Sequence, residues 1–140
     1  MNIFKYIKKA IVFALAVFCL TFALQSPSYA ATISGSWQLQ SLGGESVLAD
    51  TKITATFEDG NTYGNAGCNQ YFTAYSQSEP SNIQFRPVGS TRMYCPIPGV
   101  MEQEFKYIRA LESATSYEVT DTKLKFNYDE NKSLEYIKAQ

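Results

Sequence analysis

The sequence contains no histidine and only three cysteines among its 140 residues, and neither sign of charge dominates. Without histidine there can be no Ser-His-Asp or Cys-His catalytic pair and no imidazole ligand for a metal. A formal net charge of −1 indicates no basic surface for nucleic acid. The chain is nevertheless 45% hydrophobic and 14% aromatic, which is typical of a folded domain. We therefore expect one domain with a real core, without metal, cofactor or nucleic acid partner.

The first thirty residues differ in composition from the rest. Three lysines precede an apolar run over residues 10–24, and the small residues Ser28 and Ala30 follow it. This layout is typical of a secretory signal peptide over residues 1–30, cut before Ala31. A retained membrane anchor is the weaker alternative, because a spanning helix needs about 20 apolar residues. The sequence thus predicts export, to a periplasm or to the extracellular medium, with no membrane span after cleavage.

Removal of this segment leaves a mature domain over residues 31–140. It keeps nine Lys and Arg against thirteen Asp and Glu, which gives a net charge of −4. It also keeps two cysteines, Cys68 and Cys95. In an exported chain such a pair predicts a disulfide, with two buried free thiols as the alternative. The bridge would close a loop of about 28 residues and stabilise the fold by roughly 3.5 kcal/mol.

Alternating apolar and polar residues predict several short β-strands in the mature domain. The residues predicted to point inward include Trp37, Leu39, Ile53, Ala55, Phe57, Leu124, Phe126 and Tyr128. Asp59-Gly60 predicts a hairpin turn, and hairpins indicate antiparallel pairing. The pattern predicts an α+β, β-rich fold: a curved antiparallel sheet or partly open barrel of about seven or eight short strands with one α-helix packed on it.

The one helical segment spans about residues 99–112. Its apolar residues recur on one face, which we expect to be buried: Met101, Phe105, Ile108 and Leu111. Glu102 and Glu104 lie in the first turn, where the helix dipole favours acidic side chains. Because residues two apart on a helix do not face each other, this pair cannot form an acid/base site, and we expect both carboxyls to be solvated.

Four motifs of the mature domain occur in an order that resembles the META-domain family, which includes the HslJ heat-shock proteins. They are Gly35-Ser36-Trp37-Gln38-Leu39, Gly64-Asn65-Ala66-Gly67-Cys68-Asn69-Gln70-Tyr71-Phe72, Ser90-Thr91-Arg92-Met93-Tyr94-Cys95-Pro96 and Glu102-Gln103-Glu104-Phe105. The resemblance covers essentially residues 33–138. It implies a small exported or envelope-anchored β-rich domain connected with stress tolerance and secretion, and no general catalytic activity.

The chain departs from its lipoprotein relatives in one respect. The remaining cysteine, Cys19, is preceded by Phe18, whereas bacterial lipidation signals carry a small residue directly before the cysteine. We therefore interpret Cys19 as part of the discarded signal peptide.

Five residues near the two cysteines are candidates for a binding surface: Asn65, Asn69, Tyr71, Arg92 and Tyr94. Asn65, Gly67 and Asn69 could form a backbone nest for an anion, but turn chemistry explains them better, with Asn69 bonding the backbone beside the disulfide. Tyrosines here could bind a peptide or glycan, or could simply line the core.

Arg92 has two interpretations as well. Its guanidinium could recognise a carboxylate, for example at the C-terminus of a partner. Alternatively, it could pair with Glu102 or Glu104 and fix its loop to the helix.

No sequence motif supplies a nucleophile, a metal site or any other catalytic residue. We therefore predict an exported, non-catalytic and monomeric module related to envelope stress. It would bind or scaffold a protein, or hold a small apolar ligand on the concave side of its sheet. The alternative is a small secreted hydrolase or hydrolase inhibitor. Without histidine, a hydrolase would need a Ser-Lys pair, an acid pair or a metal held by carboxylates.

Overall fold

Hairpin-connected strands account for most of the fold, which a computed structural model describes for residues 31–140. The predicted signal peptide lies outside the described residues, so its removal stays a prediction. The strands are β1 Gly35–Leu42, β2 Glu45–Ser46, β3 Thr54–Glu58, β4 Asn61–Asn65, β5 Gln70–Ser78, β6 Asn82–Phe85, β7 Gly89–Ser90, β8 Ser116–Val119, β9 Lys123–Asp129 and β10 Lys132–Lys138. A single helix of the described chain, α1, spans Val100–Glu112.

Eight of these strands form a closed antiparallel barrel in the order β1-β3-β4-β5-β6-β8-β9-β10. β1 closes it, because Trp37 pairs with Ala55 of β3 on one side and with Lys138 of β10 on the other. The predicted partly open barrel is therefore wrong in this detail: β1 is long enough to pair along both edges. The two shortest strands are additions to this barrel, with β2 paired to β1 and β7 paired to β5.

The core confirms most of the alternation expected from sequence. Trp37, Leu39, Ile53, Ala55, Phe57, Leu124 and Phe126 are all buried, and Tyr128 is half-buried against them. Phe57, Phe85 and Phe126 meet inside the barrel at ring-centroid distances of 5.4 to 6.3 Å. Asp59 and Gly60 both have positive φ, of 48° and 76°, as the predicted tight hairpin turn requires. The barrel interior is thus filled by side chains.

Helix α1 begins and ends close to the predicted bounds, but its buried face differs from the prediction. The buried residues are Val100, Gln103, Glu104, Tyr107, Ala110 and Leu111. Of the predicted face, only Leu111 is fully buried, and Phe105 is 66% exposed. The helix packs against β6, β9 and β10. No helix among residues 31–140 is long and apolar enough to cross a bilayer.

Candidate functional site

A disulfide joins Cys68, in the turn between β4 and β5, to Cys95, in the loop between β7 and α1. The two Cα atoms lie 6.0 Å apart. The predicted bridge is therefore confirmed, and the alternative of two free thiols is wrong. Since the bridge connects residues 27 positions apart, it fixes two loops to each other at one point.

Asn69 provides a second connection between these loops. Its Oδ1 accepts hydrogen bonds from the Met93 N–H at 2.7 Å and the Thr91 hydroxyl at 2.8 Å. Its Nδ2 donates to the Met93 carbonyl at 3.1 Å and to Glu104 Oε1 at 2.7 Å. All four hydrogen-bonding positions of this amide are occupied. Asn69 is buried, so the expected bond to backbone beside the disulfide is confirmed, whereas a direct contact with a ligand is wrong.

The buried carboxyl group of Glu104 fixes the same turn to the helix. Its Oε2 accepts from the backbone N–H groups of Cys68, at 3.1 Å, and Asn69, at 2.6 Å. Glu104 therefore receives three hydrogen bonds in total, which satisfies a polar group that would be costly to bury unpaired. The expectation of solvated first-turn acids holds for Glu102, which is exposed, and is wrong for Glu104.

These bonds also decide between the two interpretations of the glycine-rich turn. Asn65 Oδ1 accepts from the Gly67 N–H at 2.7 Å, which is the turn chemistry expected of asparagine. The next two N–H groups of the turn are taken by Glu104. The anion nest is therefore wrong, because its donors already have partners within the domain.

Tyr71 lies inside the barrel and not on the predicted binding surface. Its hydroxyl donates to the Thr54 carbonyl at 3.0 Å and lies 2.7 Å from the Tyr107 hydroxyl. The Tyr136 hydroxyl donates to that of Tyr107 at 3.2 Å. Burial, chiefly, raises the pKa of all three phenols well above the ordinary value. As a ligand contact Tyr71 is wrong, because its ring and hydroxyl are both packed in the core.

Large side chains around these buried connections point to solvent. Tyr94 is 81% exposed, Phe72 66% and Met93 55%. Arg92 is exposed in the same loop. We call Phe72, Arg92, Met93 and Tyr94 the disulfide face.

The chain path brings the two parts of this face together. Phe72 is paired across the strands with Gly89, where a Cβ atom would lie only 2.6 Å from the Phe72 ring. Farther along, Thr91 and Met93 are bonded to Gln70 and Asn69. The loop after β7 therefore runs beside the start of β5, and glycine at position 89 leaves room for the Phe72 ring.

The alternative in which Arg92 pairs with Glu102 or Glu104 is wrong. Glu102 instead forms an ion pair with Lys106 at 2.8 Å, and Glu104 is occupied by the turn around Cys68. The pairing lowers the pKa of Glu102 and raises that of Lys106, first through their hydrogen bond. Arg92 is thus left on the surface beside Met93 and Tyr94.

Comparison with known proteins places this fold. Residues 30–140 match the model of the META domain. The chain belongs to the META domain family. An NMR structure of a protein from Burkholderia xenovorans has a TM-score of 0.64 at 21% identity, and covers 83% of this chain and 98% of that chain. A second NMR structure has a TM-score of 0.60 at 20% identity, and the match covers 74% of this chain and 87% of that chain. At these identities the likeness shows the fold. No curated protein matches the chain.

Several residues that build this part of the META domain were missed from sequence. Gln103 is buried; its side-chain oxygen accepts from the Leu48 N–H at 2.8 Å and its amide donates to the Thr51 hydroxyl at 2.9 Å. With Glu104, it occupies helix positions that normally carry apolar side chains. The signal was present in the spacing of Val100, Tyr107 and Leu111, which repeats at seven and four residues along one face.

Proposed function

We propose that this META domain is an exported, non-catalytic module that binds another protein through the disulfide face. The observation that carries the proposal is the contrast within one loop. Met93 and Tyr94 are exposed, while the backbone of Met93 and the neighbouring Cys95 are held by hydrogen bonds and a disulfide. Exposed aromatic, Met and Arg side chains are the types enriched at protein interfaces.

Rigidity is what makes these side chains suited to binding. A loop that must be ordered on association costs free energy, whereas a loop already fixed in the free protein does not. Here the disulfide, Asn69 and Glu104 all fix the backbone near Met93. The exposed ends can therefore contact a partner without a large loss of conformational entropy.

A protein partner is better supported than a small apolar ligand held in the barrel. Trp37, Phe57, Phe126 and other core side chains occupy the interior where such a ligand would sit. The buried groups with acid/base potential, Glu104 and Tyr71 among them, are hydrogen-bonded to other groups of the domain. This arrangement supports binding over the alternative of a secreted hydrolase. The proposed link to envelope stress rests on the family resemblance.

Site-specific photo-crosslinking in the exporting cell tests the partner surface. A benzoylphenylalanine residue replaces Tyr94, and the matched control carries it at Ile137, which is exposed on β10. We expect position 94 to give a discrete adduct with one protein and position 137 to give none. If both positions give no adduct, or the same set of adducts, the disulfide face is not a specific binding surface.

The export part of the proposal has its own test. N-terminal sequencing of the protein recovered outside the cytoplasm should begin at Ala31. Protein that keeps Met1, or that carries a lipid on Cys19, would contradict the predicted processing.

A further inference from the structure

A cleft of about 530 Å³ lies between helix α1, the turn after β1 and the turn between β9 and β10. Its apolar lining comes mainly from Leu42, Phe105, Ala110 and Tyr128. A volume of a few hundred cubic ångströms with apolar lining residues and polar groups beside them is typical of sites for small organic molecules. We call this space the helix cleft. It is formed by residues other than those of the disulfide face.

Basic side chains are concentrated in the lining of the helix cleft. Lys106, Arg109 and Lys132 line it, against Glu45 and Asp129. The lining alone carries a net charge of +1, since Glu102 and Glu112, which pair with Lys106 and Arg109, lie outside it, while residues 31–140 together carry −4. One third of the nine basic side chains in residues 31–140 border this one cleft, which favours an anionic occupant.

Each of these three cations has an acidic neighbour that a ligand could replace. Lys106 pairs with Glu102, Arg109 with Glu112 at 3.5 Å, and Lys132 with Asp129 at 3.5 Å. All three basic side chains are more than half exposed. In the Lys106–Glu102 and Lys132–Asp129 pairs the acidic partner is more than half exposed as well. Exposed ion pairs contribute little to stability, so a carboxylate from a ligand can compete for the same donors.

The position of Phe105 is a separate observation that points to the same cleft. Helix α1 buries Gln103 and Glu104 and leaves the ring of Phe105 largely in water. A large apolar side chain that stays mostly in water contributes little to the stability of the fold. Where local sequence and fold disagree in this way, a functional role is a common reason.

We propose that the helix cleft binds a small organic anion with an apolar body, such as an aliphatic or aromatic carboxylate. The apolar part lies against Phe105 and Leu42, and the acidic group lies among Lys106, Arg109 and Lys132. The inference does not depend on the disulfide face, because the two surfaces share none of these residues.

A pair of fluorescent probes tests this proposal with the purified protein. Anilinonaphthalene sulfonate carries an anionic group on an aromatic body, and phenylnaphthylamine has a similar body without the charge. We expect the sulfonate to bind saturably, and we expect the affinity of the neutral probe to be lower by about tenfold or more. Equal binding of the two probes, or no saturable binding of the sulfonate, would overturn the proposal.

Variants locate the bound probe. Lys106→Gln/Arg109→Gln should weaken binding of the sulfonate by about tenfold or more. The matched control is Lys123→Gln/Lys125→Gln, which removes the same charge from β9 and should leave binding unchanged. Tyr94→Ala should also leave it unchanged, which separates this site from the disulfide face. If the first variant and its control bind alike while both stay folded by thermal unfolding, the site is not the helix cleft.

Competition distinguishes two sources of the carboxylate. Octanoate represents a free small anion, and acetyl-Leu-Phe with a free carboxylate represents the C-terminus of a peptide. Displacement of the probe by octanoate alone supports a small-molecule ligand, and displacement by the dipeptide supports a chain terminus. If neither octanoate nor the dipeptide displaces the bound anilinonaphthalene sulfonate, the proposed carboxylate chemistry is wrong.

Discussion

Each face of helix α1 carries side chains whose polarity is usual for the opposite face. The face against the barrel carries Gln103 and Glu104 beside Tyr107, and the outer face carries Phe105 between charged side chains. On the inner face, the side chains of both polar residues form hydrogen bonds with other segments. Gln103 bonds to the loop before β3, and Glu104 bonds to the turn at Cys68. The inner face therefore holds two loops in position, whereas Phe105 on the outer face does not.

This difference separates residues that build the domain from residues available for contact. Buried polar groups that are fully hydrogen-bonded specify one arrangement of the loops around them. Exposed apolar groups contribute little to that arrangement. Mutations on the inner face should consequently lower the free energy of unfolding more than mutations on the outer face.

Replacement of Glu104 should have the largest effect on stability. Glu104→Ala leaves two buried backbone N–H groups and the Asn69 amide without their acceptor, at a cost of about 4 kcal/mol in the free energy of unfolding. Denaturant unfolding measures this change. The control is Glu102→Ala on the exposed side of the same turn, which should stay within about 0.5 kcal/mol of the parent. Equal effects of the two variants would refute the role given to Glu104.

Reduction of the disulfide should lower the free energy of unfolding by about 3.5 kcal/mol, because the unfolded chain regains the freedom of a loop of about 28 residues. Unfolding in the presence and absence of reductant measures the difference. In a Cys68→Ala/Cys95→Ala variant the reductant should change nothing. A wild-type protein that is indifferent to reductant would show that the bridge does not contribute to stability.

The buried tyrosines should make the domain sensitive to alkali. Burial raises the pKa of Tyr71, Tyr107 and Tyr136 in the folded state, so these phenols keep their protons when the unfolded chain begins to lose them near pH 10. Stability is therefore full below about pH 10 and falls above it by about 1.4 kcal/mol per pH unit for each tyrosine.

A single substitution isolates one part of this slope. Tyr107→Phe should reduce the slope of unfolding free energy against pH by about 1.4 kcal/mol per unit relative to the parent domain. Denaturant unfolding between pH 9 and about pH 11 gives both slopes. A slope that Tyr107→Phe leaves intact would show that this phenol already ionises in the folded domain.

The smallest effect is expected on the outer face of α1. Phe105→Ser should change the free energy of unfolding by no more than about 0.5 kcal/mol, since serine and phenylalanine have similar helix propensities and the ring is mostly exposed. Leu111→Ala on the buried face should cost about 3 kcal/mol. Thermal and denaturant unfolding of the two variants measure the contrast. A large loss for Phe105→Ser would place that ring in the core after all.

Much of the barrel could be predicted from sequence, because alternation reports directly which strand residues face inward. Trp37 and Leu39 on β1, like Leu124 and Phe126 on β9, follow this rule. The closure of the barrel could not be predicted in the same way. It depends on β1 pairing with β10, at the other end of the chain, and local periodicity carries no information on such long-range pairing.

The site was less predictable because its polar groups are paired across the fold. Asn69 and Tyr71 look like surface residues in a polar, aromatic motif, but Glu104 and Tyr107 lie on the helix and provide the hydrogen bonds that allow them to be buried. The predicted helix face failed for the same reason, since Glu104 is buried only where the turn at Cys68 meets it. Of the predicted contact residues, Arg92 and Tyr94 are exposed, Asn65 is half-buried in its turn, and Asn69 and Tyr71 are buried.

We propose that the exposed residues of the disulfide face bind a partner and are not needed for folding. The most direct test is the yield of a photo-crosslink from position 72 in a chain that also carries Tyr94→Ala. We expect the adduct formed from position 72 to be lost or strongly reduced, while the free energy of unfolding stays within about 0.5 kcal/mol of the chain without Tyr94→Ala. An undiminished adduct, or a loss of adduct that only follows a loss of folded protein, would contradict it.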